Sequence, residues 1–223
     1  LAANPGKTGV LMLSDGLDGF SSRAVSARRA GRSLDLQYYI WHDDLTGRAL
    51  AQALLDAADR GVRVRLLLDD NNTAGLDPLL AGLDAHPNVE VRLFNPFRQR
   101  SLRLLGFLTD FARLNRRMHN KSITADGVAT IVGGRNIGDI YFARDAEVQY
   151  SDFDVLATGA VVPQVAEDFD AYWNSASAYP QELLVTAPAD LSAFDTALSE
   201  TRARPGAEAY ARAVSDSSLV QSL

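Results

Sequence analysis

Apolar positions recur along this chain in two rhythms, and the changes between them mark its elements. Leu34 to Ile40 is a short aliphatic and aromatic run that predicts a strand. From about Thr46 to Arg60, Leu50, Ala53, Leu54 and Ala57 share one helical face, and Gly61 stops the helix. Val62 to Leu68 predicts a buried strand ending in Asp69-Asp70, where the two carboxylates either face a site or cap the turn. Asn71-Asn72-Thr73 and Gly75 form that turn, Leu76 to Ala85 a short helix, and Val89 to Phe94 a further strand. Strands alternating with helices predict an α/β fold, a mixed, mostly parallel sheet flanked by helices.

After Pro96 the rhythm breaks. Leu102, Leu104, Leu105, Phe107, Leu108 and Phe111 are mixed with arginines, which suits either a surface helix leaning on lipid headgroups or apolar side chains packed on their own domain. Met118 to Ala125 and Val128 to Val132 are predicted strands joined by a hairpin turn at Asp126-Gly127. Gly133-Gly134-Arg135-Asn136 leads into a helix expected near Ile137. Asp152 to Thr158 again reads as strand, and Pro163 to Trp173 as a helix with proline in its first turn. Past Tyr179-Pro180 the chain turns Ala-, Ser-, Thr- and Pro-rich, so residues 1–180 are expected to be the compact domain and 181–223 a linker or helical tail.

Composition narrows the classes. With 223 residues, 47% of them hydrophobic, the chain can bury a sizeable core. The absence of cysteine removes disulfides, thiolate nucleophiles and zinc-thiolate sites together. No apolar run reaches the roughly 18 residues a spanning helix needs. The chain opens on Leu1 rather than Met, which is read as processing or trimming at the N-terminus. A net charge of -6 is a poor match for a general nucleic-acid binder. Its distribution is uneven: Arg92, Arg98, Arg100, Arg103, Arg113, Arg116, Arg117 and Lys121 face only Asp110, while the remaining chain carries 14 basic and 27 acidic residues. That island suits a phosphate-bearing substrate, or else a solvated loop.

The candidate chemistry lies at the island's end. His119 and Lys121 are two positions apart in an expected strand, which puts imidazole and ammonium on one face. Gly133 and Gly134 allow close backbone approach to an anion, and a helix start at Asn136 would offer N–H groups to phosphate oxygens. An imidazole in that company acts as a nucleophile on phosphorus or as a general acid. His42, beside Asp43 and Asp44, and His86, before Pro87, read as structural; no ligand cluster accompanies them, and no metal is expected.

The run His119-x-Lys121-x4-Asp126-x6-Gly133-Gly134-x-Asn136 resembles the signature of the phospholipase D superfamily. Leu34 to Asp44, Arg63 to Thr73 and Val91 to Phe97 resemble bacterial cardiolipin synthases, and Leu108 to Lys121 and Ile131 to Asp139 are most similar to the cardiolipin synthase C type. The resemblance runs from about Val10 to Pro180 and implies a phospholipase D-like domain. It implies a phosphohistidine at His119, phosphate binding by Lys121 and Asn136, a second histidine that protonates the leaving alcohol, and no cofactor. Asp126 is the family's third letter, yet its hairpin position suggests a structural role. Asp152 is a carboxylate placed to orient an imidazole, with Asp154 competing for that role. Gly134 stands where many superfamily members carry serine.

Cardiolipin synthases carry two such motifs, and this sequence contains one. Three readings follow. The first is half of a phosphatidyltransferase that acts on phospholipids and makes peripheral contact with the bacterial inner membrane, its second His-x-Lys-Asp motif lying in an absent C-terminal half. The second is a single-motif phosphodiesterase or nuclease completed by a homodimer mate. The third is an inactive fragment or membrane-surface binding module.

Overall fold

The structure is a computed structural model, and it describes residues 4–97, 100, 110–142, 152–187 and 191–221. Its first half follows the expected rhythm. A strand β1 (Thr8–Leu13) and helix α1 (Gly16–Arg29) precede β2 (Ser33–Tyr38), α2 (Leu45–Asp59), β3 (Arg63–Asp69), α3 (Asp77–Asp84) and β4 (Val89–Phe94). Asp44 caps α2 by accepting from the Gly47 N–H at 3.0 Å. Leu50, Ala51, Leu54, Leu55 and Ala58 form its buried face, and Gly61, at φ +90°, lets the chain leave.

A short helix α4 (Phe111–Leu114) then leads to β5 (Ser122–Ala125), β6 (Ala129–Gly133) and β7 (Asp154–Gly159), followed by α5 (Val162–Trp173) and β8 (Ala178–Pro180). The strands form one sheet in the order β1-β7-β6-β5-β2-β3-β4-β8. The expectation of a mostly parallel sheet is corrected: only β2–β3 and β3–β4 run parallel, and the other pairings are antiparallel. The parallel trio is what crossover helices α2 and α3 produce. Past β4 the chain uses a hairpin, with Asp126 at φ +54° and Gly127 at φ +65°, and a hairpin can only return antiparallel.

One face of the sheet presents Leu34, Leu36, Leu66, Val91, Ile123 and Ile131 to the main core under α1, α2 and α3. The stretch expected to be a linker or helical tail joins that core. Helices α6 (Leu191–Arg202), α7 (Ala207–Ser215) and α8 (Ser218–Gln221) pack on α1, α2 and α3, and Val185, Phe194, Leu198, Ala207 and Tyr210 are buried there. Their apolar positions are diluted by Ala, Ser and Thr, which gave the segment its linker-like composition.

The opposite face is more polar and is partly covered by α5. Arg65 fastens that helix: its guanidinium lies 4.7 Å from the Phe169 ring centroid and bonds both Asp35 (2.6 Å) and Asp170 (2.7 Å). Leu67, Met118, Phe169 and Trp173 make a small second cluster beneath it. The Arg- and Leu-rich segment 98–109 lies outside the described residues except for Arg100.

Candidate functional site

The segment carrying His119 is positioned from behind by a buried carboxylate. Asp69, at the end of β3, accepts from the Met118 N–H at 2.9 Å, the Asn71 N–H at 2.9 Å and Arg117 at 3.1 Å. Burial raises its pKa, opposed by those hydrogen bonds and by Arg117. Asp70 accepts from the Phe97 N–H and pairs with Arg100. Both aspartates therefore serve the framework, one of the two roles the sequence left open.

His119 and Lys121 meet as expected, although they precede the strand rather than occupy it: β5 begins at Ser122. Lys121 Nζ lies 3.0 Å from His119 Nδ1 and donates to the His119 carbonyl at 2.6 Å. His119 is exposed and Lys121 is buried. Partial desolvation, followed by the neighbouring Lys121 charge, holds the imidazole below its ordinary value. Burial also lowers the Lys121 pKa, with Asp152 opposing. Tyr39, which the sequence reading missed, packs on both: its ring lies 4.6 Å from the imidazole centroid and 5.4 Å from Lys121 Nζ. It comes from the end of β2, and only the β2–β5 pairing reveals its proximity.

Asn136 is anchored through its oxygen, which accepts from the Ile40 N–H at 3.0 Å. That donor fixes the orientation of the amide and leaves its NH2 end for another acceptor. The helix expected near Ile137 does not form there. Ile137 instead pairs with Trp41, donating to the Ile40 carbonyl and accepting from the His42 N–H, and a short 3-10 turn follows at Asp139–Tyr141. Any amide donation to phosphate at this point therefore comes without a helix N-terminus behind it.

Gly133 and Gly134 are small for a different reason than expected. A Cβ on Gly133 would lie 2.6 Å from both the Asp154 Cα and the Phe153 oxygen, and one on Gly134 would lie 2.6 Å from Asp152 Oδ1. They admit the β7 segment rather than open a space. Asp154 and Asp152, which competed for the role of orienting an imidazole, have different surroundings. Asp154 is fully buried and joins Arg23 (2.8 Å), Arg135 Nη1 (3.4 Å) and the Arg135 N–H (3.2 Å), so it holds the Gly-Gly-Arg-Asn loop. Asp152 stays partly exposed and acts on Lys121.

Asp126 lies at the far end of the β5 strand from His119, where it accepts from the Gly31, Arg32 and Ser33 N–H groups at 3.0, 2.7 and 2.9 Å. Those hydrogen bonds depress its pKa despite the opposing cost of burial. Such a residue ties the hairpin to β2 and touches no reacting group. The basic island also changes meaning. Arg92 pairs with Glu90 and lies over Trp173, Arg113 pairs with Asp110, Arg100 with Asp70 and Asp77, and Arg117 with Asp69. These guanidiniums bind the protein's own carboxylates, which removes them as a general phosphate attractor. Arg116 stays exposed, and Arg98 and Arg103 lie outside the described residues.

His42 sits 3.8 Å from Asp44 and near the Tyr141 ring, and His86 bonds Asp59 at 3.2 Å. Among the described residues no group of acidic and histidine side chains is arranged to hold a metal, and no helix is long and apolar enough to cross a membrane. His119 and Lys121 open onto a cleft of about 440 Å³ between the polar face of the sheet and α5.

A mixed α/β sheet that brings one His-x-Lys pair to such a cleft, with an anchored Asn136 nearby, defines a phospholipase D-like domain. Residues 26–173 match the family described as cardiolipin synthase, PLD-like domain, and the chain belongs to that family. It is 58% identical to cardiolipin synthase C of Escherichia coli over 185 residues, which cover 83% of this chain and 39% of that protein. It is 31% identical to the major cardiolipin synthase ClsA of Bacillus subtilis, covering 74% of this chain and 33% of that one. The chain thus spans about two fifths or less of these relatives' lengths. The fold is similar to that of Nuc from Salmonella typhimurium, a phospholipase D family member (TM-score 0.56, 17% identity, 78% of this chain and 98% of that one). It is also similar to that of phosphatidylserine synthase from Haemophilus influenzae (TM-score 0.61, 15% identity, 93% of this chain and 44% of that one).

Proposed function

We propose that this chain is one catalytic half of a phosphatidyltransferase of cardiolipin synthase type. The observation that carries the reading is the His119–Lys121 contact at the mouth of the cleft, in a chain so similar to cardiolipin synthase C. In this reading a His119 ring nitrogen attacks the phosphorus of a phospholipid phosphodiester. The bond from phosphorus to the leaving alcohol breaks, and a second histidine gives that alcohol its proton. An acceptor alcohol then attacks the phosphohistidine, returns a proton to the second histidine, and frees His119. Lys121 and the Asn136 amide neutralise charge on the non-bridging oxygens.

Gly133, Gly134 and Asp152 support this pair through the contacts described above, Asp126 holds the far end of the hairpin, and no metal or organic cofactor takes part. The second His-x-Lys-Asp motif comes from another domain of the intact protein or from a second copy of the chain. A phospholipid substrate suits peripheral contact with the bacterial inner membrane. The pairing of Arg92, Arg100, Arg113 and Arg117 with carboxylates does not favour the nuclease alternative, because nucleic-acid affinity is largely a phosphate-charge effect.

The test uses the intact protein that carries this chain, with phosphatidylglycerol labelled in its phosphate. Acid-labile, alkali-stable label on the protein, cardiolipin formation, and loss of both in His119→Ala are the expected results. Normal turnover by His119→Ala would refute the covalent role.

A further inference from the structure

The two adjacent tyrosines at the end of β2 go to opposite sides of the sheet. Tyr38 is fully buried in the main core, where its hydroxyl accepts from Arg23 at 3.0 Å. Tyr39, one position on, turns to the polar face. Among the described residues it joins neither apolar cluster; its ring contacts the His119–Lys121 pair instead, with its centroid 4.6 Å from that of the imidazole, the two planes tilted by 46°, and 5.4 Å from Lys121 Nζ. Its backbone is held from both sides. The Tyr39 carbonyl accepts from the Asn72 amide at 3.2 Å, and the next N–H, that of Ile40, donates to Asn136 at 3.0 Å. The 3-10 turn that contains Asn72 is capped by Asp69, whose carboxylate also accepts from the Met118 N–H at 2.9 Å. One turn therefore fixes both the aromatic ring and the segment that carries the imidazole.

We propose that Tyr39 is a positioning residue for the nucleophile, one that sets the plane of the His119 ring and favours the positive charge this ring gains when it is phosphorylated. The assignment rests on the function proposed above and adds a residue to its machinery. A ring nitrogen that attacks phosphorus gives its lone pair to the new bond, and with a proton on the other nitrogen the imidazole becomes cationic. An aromatic ring attracts that cation through its quadrupole more strongly than it attracts the neutral imidazole. The contribution of Tyr39 thus grows toward the transition state, so it belongs to kcat rather than to KM. The Lys121 ammonium carries its charge before and after the attack, and its contact with the same ring stabilises both states alike. The phenol hydroxyl has no part in this, because both contacts are made by the ring.

The test uses the intact protein that carries this chain, with phosphatidylglycerol labelled in its phosphate as substrate. Tyr39→Leu is expected to lower kcat about tenfold, the scale of one desolvated cation–π contact, and to leave KM within about twofold of wild type. Tyr39→Phe, which keeps the ring and loses the hydroxyl, should recover most of that loss. Mono-, di- and trifluorophenylalanine in place of Tyr39 keep the ring shape while withdrawing charge from its face, so kcat should fall stepwise along the series. A flat series would overturn the electrostatic role, even where a urea midpoint shows that Tyr39→Leu has unfolded the protein. A Tyr39→Phe variant as slow as Tyr39→Leu would overturn it too, because the hydroxyl would then carry the effect. If all the Tyr39 variants turn over at the wild-type rate while His119→Ala loses its label, the positioning role is wrong and the phosphohistidine stands. If His119→Ala turns over normally, the functional reading fails and this role with it.

Discussion

Replacing Asp154 by Asn should destabilise the protein severely, although Asp154 is not the carboxylate that acts on Lys121. Its side chain is fully buried between Arg23, at 0% side-chain exposure, and Arg135, at 3%. Both guanidiniums stay charged in a protein interior. Arg23 has other partners, donating to the Gly19 carbonyl at 2.8 Å and to the Tyr38 hydroxyl at 3.0 Å, but Asp154 is the anion of the group. Removing one member of a buried ion pair costs about 3–5 kcal/mol, because the remaining charge is left uncompensated. Against a total stability of about 5–15 kcal/mol this is a large fraction. With a urea dependence of about 3 kcal/mol per molar, as suits a chain of this size, the midpoint should fall by roughly 1 to 2 M. The fluorescence of Trp41 and Trp173, both buried, reports the transition. Asp152→Asn is the control: it is partly exposed, so its midpoint should stay within about 0.2 M of wild type, equivalent to roughly 0.5 kcal/mol. An Asp154→Asn midpoint that also stayed there would refute the account of the buried network.

The two loop glycines should separate in the same way. Gly133→Ala drives a Cβ into backbone of the β7 segment and should lower the thermal midpoint by the equivalent of about 3 kcal/mol, whereas Gly134→Ala meets the movable Asp152 carboxylate and should cost less than about 1 kcal/mol. Asp126→Asn keeps the left-handed turn but loses the charge, so it should cost about 1 kcal/mol at neutral pH, a modest value because this end of the hairpin is solvated. Its carboxyl is depressed below 3.8 in the folded chain, so its contribution is complete above that value and vanishes as pH falls through the lower, folded one; urea midpoints of wild type and variant should converge there. The imidazole of His119 is held below 6.5, so it loses its proton more readily, and the acid limb of kcat/KM in the intact enzyme should fall below that pH. An acid limb above 6.5 would mean that a different group limits the reaction.

What could be read from the sequence was whatever rests on local signals. The alternation up to β4, the Asp-Gly hairpin and the His-x-Lys pair each declare themselves within a dozen residues. The first strand and helix do not. β1 is an edge strand with Val10 and Met12 exposed, so its residues lack the buried-and-polar alternation that marks a half-covered strand. The buried side of α1 includes Arg23, Ser21 and Ser22, which read as surface residues until Asp154, 131 positions later, arrives beside the arginine. The same separation hid Tyr39 and the role of the basic island. Arginines clustered in sequence look like a solvent-facing field, and only the fold shows Arg100 and Arg117 taken up by carboxylates from other elements. Sheet direction was missed because β5 enters next to β2, a placement that no local pattern encodes.

The ring nitrogens of His119 set a condition on the proposed nucleophile. An ammonium has only donors, so Lys121 at 3.0 Å makes Nδ1 the acceptor and leaves the neutral ring's proton on Nε2. A nucleophilic Nε2 needs the other tautomer, with the proton on Nδ1 and an acceptor facing it. Two events convert one into the other. A bound phosphate oxygen can draw the ammonium off the ring, and Lys121 is placed for that at the cleft mouth. The second event is the arrival of a carboxylate or carbonyl at Nδ1. Asp152 acts on Lys121, and among the described residues Lys121 is what meets Nδ1. The proposed nucleophile therefore carries a condition: until an acceptor faces Nδ1, the pair holds phosphate with its imidazole proton on the wrong nitrogen for attack.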